Sequence, residues 1–195
     1  MNKLQDLMLE IKQLESELME EIQRKEEEFL YQIKGKKVVF DAETKKIHKD
    51  LATKLHSYIL NASLLNVLTA PFIWYCLIPV VFLDAVVSLY QAVCFTVYGI
   101  PKVSRKDYIV IDRYSLSYLN SIEKLNCIFC GYFNGVIAYV QEIAARTEQY
   151  WCPVKHARKL AKTHAHYHKF MEYGDAENYK KKLSEIRRNF SDISD

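Results

Sequence analysis

Residues 59–100 read ILNASLLNVLTAPFIWYCLIPVVFLDAVVSLYQAVCFTVYGI, and Asp84 is their only charged side chain. A soluble helix or strand needs a polar face, so an unbroken apolar run of this length does not suit a water-soluble core. At ~1.5 Å per residue it makes roughly 63 Å of helix, about twice the ~30 Å hydrocarbon thickness of a bilayer. The run therefore predicts a membrane helical hairpin, and the rest of the chain is read outward from it.

Lys45, Lys46, Lys49 and Lys54 precede the run, while Lys102, Arg105 and Lys106 follow it behind Pro101. By the positive-inside rule both flanks face the cytoplasm, which requires an even number of crossings. Pro79 removes a backbone donor and Asp84 prefers water, so the pair brackets the expected turn. Ile59–Ile78 is then a full-length span. Ala85–Ile100, at about 16 residues, is short against the ~20 that a crossing needs. Two readings stand: two spans, or a re-entrant hairpin that dips in without emerging. Asp84 is read as a turn residue at the far interface, with a functional intramembrane acid as the alternative. Cys76 and Cys94, in apolar surroundings, are read as inert packing residues.

Upstream, residues 1–34 form an expected amphipathic or coiled-coil helix. Leu4, Leu7, Ile11, Leu14 and Leu18 alternate three and four apart, before a stutter through Ile22 to Phe29. Gly35 is expected to end this helix. Residues 35–58 hold a short strand, Lys37–Phe40, and a juxtamembrane helix capped by Asp41. Tyr108–Asp112 repeats the strand-then-Asp pattern beyond the apolar run, so a two-stranded sheet joining the two segments is expected.

The chain has 195 residues, a net charge of +3 and five cysteines. That bias is too small, and too free of basic stripes interleaved with aromatics, for nucleic acid. Irregular cysteine spacing excludes a small secreted disulfide framework. The charged opening is no cleavable signal, so the apolar run is expected to act as its own insertion signal. Phosphate-loop, nucleophile-elbow and zinc-protease motifs are absent from the sequence.

Chemistry concentrates in residues 101–190, read as a cytoplasmic helical domain. Asn126-Cys127-Ile128-Phe129-Cys130-Gly131 suits a tight knuckle that turns two thiolates toward one ion. Gly135 is expected to open a helix that ends at Trp151. Cys152 then stands as an N-cap, with Pro153 at the first helical position and His156 one turn on. These residues make a candidate Cys127, Cys130, Cys152, His156 metal site. A straight helix from Gly135 to Trp151, about 24 Å long, separates Cys130 from Cys152, so this set needs a bent segment or a dimer. The alternative partners of the cysteine pair are His164 and His168, four apart on an expected antiparallel helix. Zinc is the expected metal, with iron second because thiolates also suit it. The bare Cys127–Cys130 dithiol is a further, redox reading. Gly174 and Asp175 are expected to stop one helix and cap the last, leaving residues 191–195 as a frayed tail.

The stretches Lys124-Leu125-Asn126-Cys127, Glu142-Ile143-Ala144-Ala145-Arg146-Thr147-Glu148-Gln149-Tyr150-Trp151-Cys152-Pro153 and Tyr173-Gly174-Asp175-Ala176-Glu177 resemble a family of uncharacterised bacterial membrane proteins. The resemblance runs from about Val38 to Tyr179, and its pattern includes Cys127, Cys130, Cys152 and His156 but not His168. It implies a bacterial inner-membrane location and brings no activity with it.

The whole reading is a mainly α membrane protein: a hairpin over 59–100 with cytoplasmic N- and C-terminal helices, the latter a bundle. The expected function is a non-enzymatic, membrane-anchored scaffold or accessory subunit with a structural zinc-like site. Its expected partners are the lipid bilayer and, through the N-terminal helix, a second copy or another membrane protein. A membrane-bound thiol or iron redox protein and a transport-accessory subunit using Asp84 are the alternatives.

Overall fold

The computed structural model describes residues 3–29, 31–34 and 37–193. The chain is mainly helical and divides into two units: Met1–Asn61 with Asp112–Cys127, and Ala62–Ile111 with Ile128–Asp195.

In the first unit, α1 (Lys3–Glu28) leaves Leu7, Ile11, Leu14, Leu18 and Ile22 all exposed. Gly35 lies outside the described residues. The strands β1 (Tyr31–Lys34) and β2 (Lys37–Phe40) form an antiparallel hairpin that pairs Tyr31 with Phe40 and Lys34 with Lys37. This corrects the expected pairing of Lys37–Asp41 with Tyr108–Asp112. A connection of two residues closes a hairpin locally at small entropic cost, and β1 outcompetes the distant segment. Asp41 caps α2 (Ala42–Asp50) as expected, accepting from the Thr44 N–H at 2.7 Å. Phe40 is buried against Tyr31 and His48, and His48 in turn meets Tyr118 edge-on. The short α3 (Leu55–Leu60) leads to the apolar run.

The second unit is built on that run, which forms one helical column from Leu64 to Tyr98. It comprises α4 (Leu64–Tyr75), α5 (Leu77–Tyr90), a π-helical turn (Gln91–Phe95) and α6 (Thr96–Tyr98). The turn expected between Pro79 and Asp84 is absent, because both residues lie inside α5. Pro79 leaves the Tyr75 carbonyl without its i+4 donor, and the ladder is interrupted at Cys76 rather than reversed. Gly99, at φ 68°, ends the column, and the Ile100 N–H returns to the Phe95 carbonyl at 2.9 Å.

After Gly99 the chain doubles back as a mostly irregular strap, interrupted only by α7 (Arg105–Tyr108), and later a 3-10 turn at Arg113–Ser115 precedes α8. The helix α8 (Ser121–Trp151) is continuous over 31 residues. Gly131 and Gly135 are therefore interior helical residues, not a knuckle and a helix start. Contacts advance together along both helices: Trp74 with Phe129, Asp84 with Tyr132, Ser88 with Tyr139, Tyr90 with Thr147, and Tyr98 with Tyr150. The apolar column and α8 thus run parallel, with the strap descending beside them.

Along the strap, the Pro101 carbonyl accepts from Arg146, Val103 pairs with Gln91, and Arg105 pairs with Asp84. Its last part lies on the two glycines. A Cβ at Gly135 would sit 2.7 Å from the Tyr108 carbonyl oxygen, and one at Gly131 would sit 3.3 Å from that of Val110. Phe95, Ile100, Val103, Tyr139, Ile143 and Phe190 make the core of this unit.

Pro153 opens no helix. Val154 instead bridges Met171, with the Lys155 N–H donating to the Met171 carbonyl at 2.8 Å and the Met171 N–H to that of Pro153 at 2.9 Å. A 3-10 turn covers Ala165–Lys169, and Asp175 caps the last helix, α9 (Ala176–Ile186), as expected. The expected C-terminal bundle is therefore one long helix with α9 docked at its end. Gln149 makes that joint, donating to the carbonyls of Ile186 at 2.9 Å and Asn189 at 2.7 Å.

Candidate functional site

The expected metal ligands are dispersed. Cys127 and Cys130 lie one turn apart on α8, the first half-buried and the second exposed, and both are free thiols. Cys152 stands just past the helix end, about 33 Å from Cys130 at ~1.5 Å of rise per residue. Zn–S bonds are about 2.3 Å, so a single chain cannot bring these thiolates to one ion. The His156 ring stacks on Tyr167, and the His156 backbone N–H donates to the Tyr167 hydroxyl at 2.7 Å. His164 meets Glu148 at 3.1 Å, and exposed His168 meets the Ala165 carbonyl at 2.7 Å. Neither histidine comes level with the cysteine pair. Among the described residues, no three His, Cys, Asp or Glu side chains converge on a metal position. Within one chain, the expected ligands do not fit a single metal ion.

What the fold does bring together is a ladder of mostly buried or half-buried polar groups that joins the column, the strap and α8. Arg105 grips Asp84 with two nitrogens, at 3.1 Å from Nε and 2.7 Å from Nη2, and Tyr132 donates to the same carboxylate at 2.9 Å. Asp84 is thus a buried anchor for the strap, not a turn residue. Seven residues on, Gln91 holds both backbone groups of Val103 and donates to the Tyr139 hydroxyl. Farther along α8, Arg146 donates to Glu142 at 2.7 Å and to the Pro101 carbonyl at 2.9 Å. His166 donates to the same Glu142 from Nε2 at 3.0 Å, because an ionised carboxylate can only accept. The Nδ1 atoms of His164 and His166 are buried and have no partner among the described residues. These groups clamp backbone to helix. Sequence reasoning missed them because their partners, other than the helical pair Glu142 and Arg146, lie 12 to 48 residues apart. The single charge in an apolar run was the one signal available.

On the opposite side of the column lies an exposed apolar stripe. Tyr75, Ile78, Phe82, Val86, Leu89, Val93 and Val97 follow one another at three- and four-residue steps, and each is between 45% and 74% exposed. Val80, Asp84, Gln91 and Phe95 are their buried counterparts. The helix α4 has no buried residue on any side, although nearly all of it is apolar. By length and composition, both Leu64–Tyr98 and Ser121–Trp151 are sufficient to cross a membrane. No family model, no curated protein and no solved structure matches this chain, so the surface must be interpreted from its own chemistry.

Proposed function

We propose that the chain is a non-enzymatic, membrane-attached module, a scaffold or accessory subunit held on the cytoplasmic face of a bacterial inner membrane. The observation that carries this reading is the uncovered stripe from Tyr75 to Val97, continued by α4, which buries no residue. Apolar area on this scale costs about 25 cal/mol for every Å² left in water, and a bilayer removes that cost. The strap argues for attachment from one side. It is mostly irregular backbone carrying exposed Lys102, Arg105, Lys106 and Asp107, and such backbone is not tolerated in contact with lipid tails. Lying along the interface, with α4 immersed, keeps these charges in water and both termini on one face.

The exposed seam Leu7, Ile11, Leu14, Leu18 and Ile22 supports pairing with a second copy, or with another membrane protein, through α1. The redox alternative has less beneath it. Cys127 and Cys130 sit in mid-helix, away from the N-terminal position that lowers thiol pKa in dithiol enzymes. The transport alternative is weakened too, since the Asp84 carboxylate is taken up by Arg105 and Tyr132.

Fractionation of cells tests the reading. The chain should pellet with membranes, resist a high-salt wash and be released by detergent, and Phe82→Glu with Leu89→Glu should shift it to the supernatant. Recovery of the unaltered chain in the soluble fraction overturns the proposal. Termini on opposite faces, shown by protease protection, would replace attachment with a true crossing.

A further inference from the structure

From Gln149 to Met171 the sequence carries Lys155, Arg158, Lys159, Lys162 and Lys169 and no aspartate or glutamate at all. Two of these cations are already matched, Lys155 by Glu172 at 2.5 Å and Lys169 by Asp192. Among the described residues, Arg158, Lys159 and Lys162 form no ion pair. All three are exposed in a segment without helix or strand, and the apolar Leu160 is exposed between them.

The position of this segment matters as much as its charge. It begins beyond Trp151, which packs edge-on against Tyr98 with centroids 5.3 Å apart, and Tyr98 directly follows Val97 at the end of the apolar stripe. Tyr98, Tyr150 and Trp151 form one aromatic cluster, with the Arg187 guanidinium over the Tyr150 ring. Tyrosine and tryptophan with basic neighbours, placed where an apolar surface ends, are the side chains that settle at the headgroup level of a bilayer. We infer that the segment 155–162 is a recognition loop for anionic phospholipid headgroups, with Arg158, Lys159 and Lys162 as the contacting cations. The inference rests on the membrane attachment proposed above and names the lipid class which that surface selects.

A basic residue close to an anionic leaflet strengthens binding by roughly 5-fold, so the three together give on the order of 100-fold at low salt. The full chain, purified in mild detergent, is transferred to vesicles of phosphatidylcholine alone or with about a third of phosphatidylglycerol. Partition coefficients are then taken from lipid titrations. The expected result is binding to both, with a preference for the anionic vesicles that disappears in 0.5 M salt, where the ~10 Å Debye length of 0.1 M salt has fallen to about 4 Å. Arg158→Ser with Lys159→Ser and Lys162→Ser should retain the binding to neutral vesicles and lose the preference, while Arg158→Lys should keep it. Equal partition of the unaltered chain between the two vesicles, or a preference that survives the triple change, overturns the inference and leaves the attachment reading standing. Binding to neither vesicle overturns both.

Discussion

Gln91 treats Val103 as a strand partner would. Its Oε1 accepts from the Val103 N–H at 2.9 Å, and its Nε2 donates to the Val103 carbonyl at 3.2 Å. One side-chain amide thus satisfies both backbone groups of a buried residue in a segment that has no sheet to join. Gln91 opens the π-helical turn. Replacing it by Ala orphans two buried backbone groups at about 1–3 kcal/mol each. We expect Gln91→Ala to destabilise the second unit by about 2–4 kcal/mol, read from denaturant unfolding in micelles. Hydrogen exchange at the Val103 amide should accelerate in parallel.

The two glycines of α8 are predicted to respond differently. Alanine is worth up to ~1 kcal/mol more than glycine in a helix interior. At Gly135 the new methyl would meet the Tyr108 carbonyl oxygen at 2.7 Å and Ile109 Cα at 2.9 Å, both backbone atoms that cannot swing away. Overpacking of that kind costs about 1–3 kcal/mol and outweighs the propensity gain. At Gly131 the nearest atom is 3.3 Å away, and the two effects nearly cancel. Gly135→Ala should lower the thermal midpoint, and Gly131→Ala should leave it within about a degree or two.

Asp84 and Arg105 are predicted to act as a unit. The Asp84 side chain is only 10% exposed, and Arg105 meets it through the planar fork that lysine lacks. Asp84→Asn and Arg105→Lys should each destabilise, by about 1–3 kcal/mol. The double variant should cost less than their sum, since each single change already removes the pairing. Strict additivity in the unfolding cycle would show that the pair contributes nothing.

The thiols give a direct test of the dispersed cysteines. Cys130 and Cys152 are exposed and should react with a maleimide at once, with Cys127 slower because it is half-buried. A chelator should change none of these rates, and elemental analysis should find no stoichiometric zinc or iron. Protection that a chelator removes would show a metal held between chains.

The two helix caps predict an acid transition. Backbone donation from Thr44 holds the Asp41 carboxyl below its ordinary value of 3.8, and donation from the Asn178 side chain and N–H does the same for Asp175. A carboxylate whose pKa falls on folding stabilises at all pH above the unfolded value, and that contribution is lost as pH falls through the lower folded value. Helicity should therefore fall as pH drops below 3.8 toward 2. Asp41→Asn with Asp175→Asn, which caps without titrating, should flatten that part of the circular-dichroism titration.

The sequence by itself determined whatever depends on neighbouring residues. It showed one long apolar run with a single charge, the caps at Asp41 and Asp175, the apolar seam of α1 and the predominance of helix. Each follows from local periodicity or from a side chain reaching its own backbone three residues on. Only the tertiary structure decided the path of the chain. Pro79 and Asp84 looked like a turn, yet a proline in a helix merely removes one donor, and Asp84 found a cation in Arg105 rather than water. Cys127, Gly131 and Gly135 looked like a knuckle, yet α8 continues through them because the two glycines admit the strap. Gln91 and Val103, 12 residues apart, carried no local signal. The long-range pairing of polar groups selects one arrangement among many that share the same hydrophobic pattern, and it becomes visible only when the elements have met.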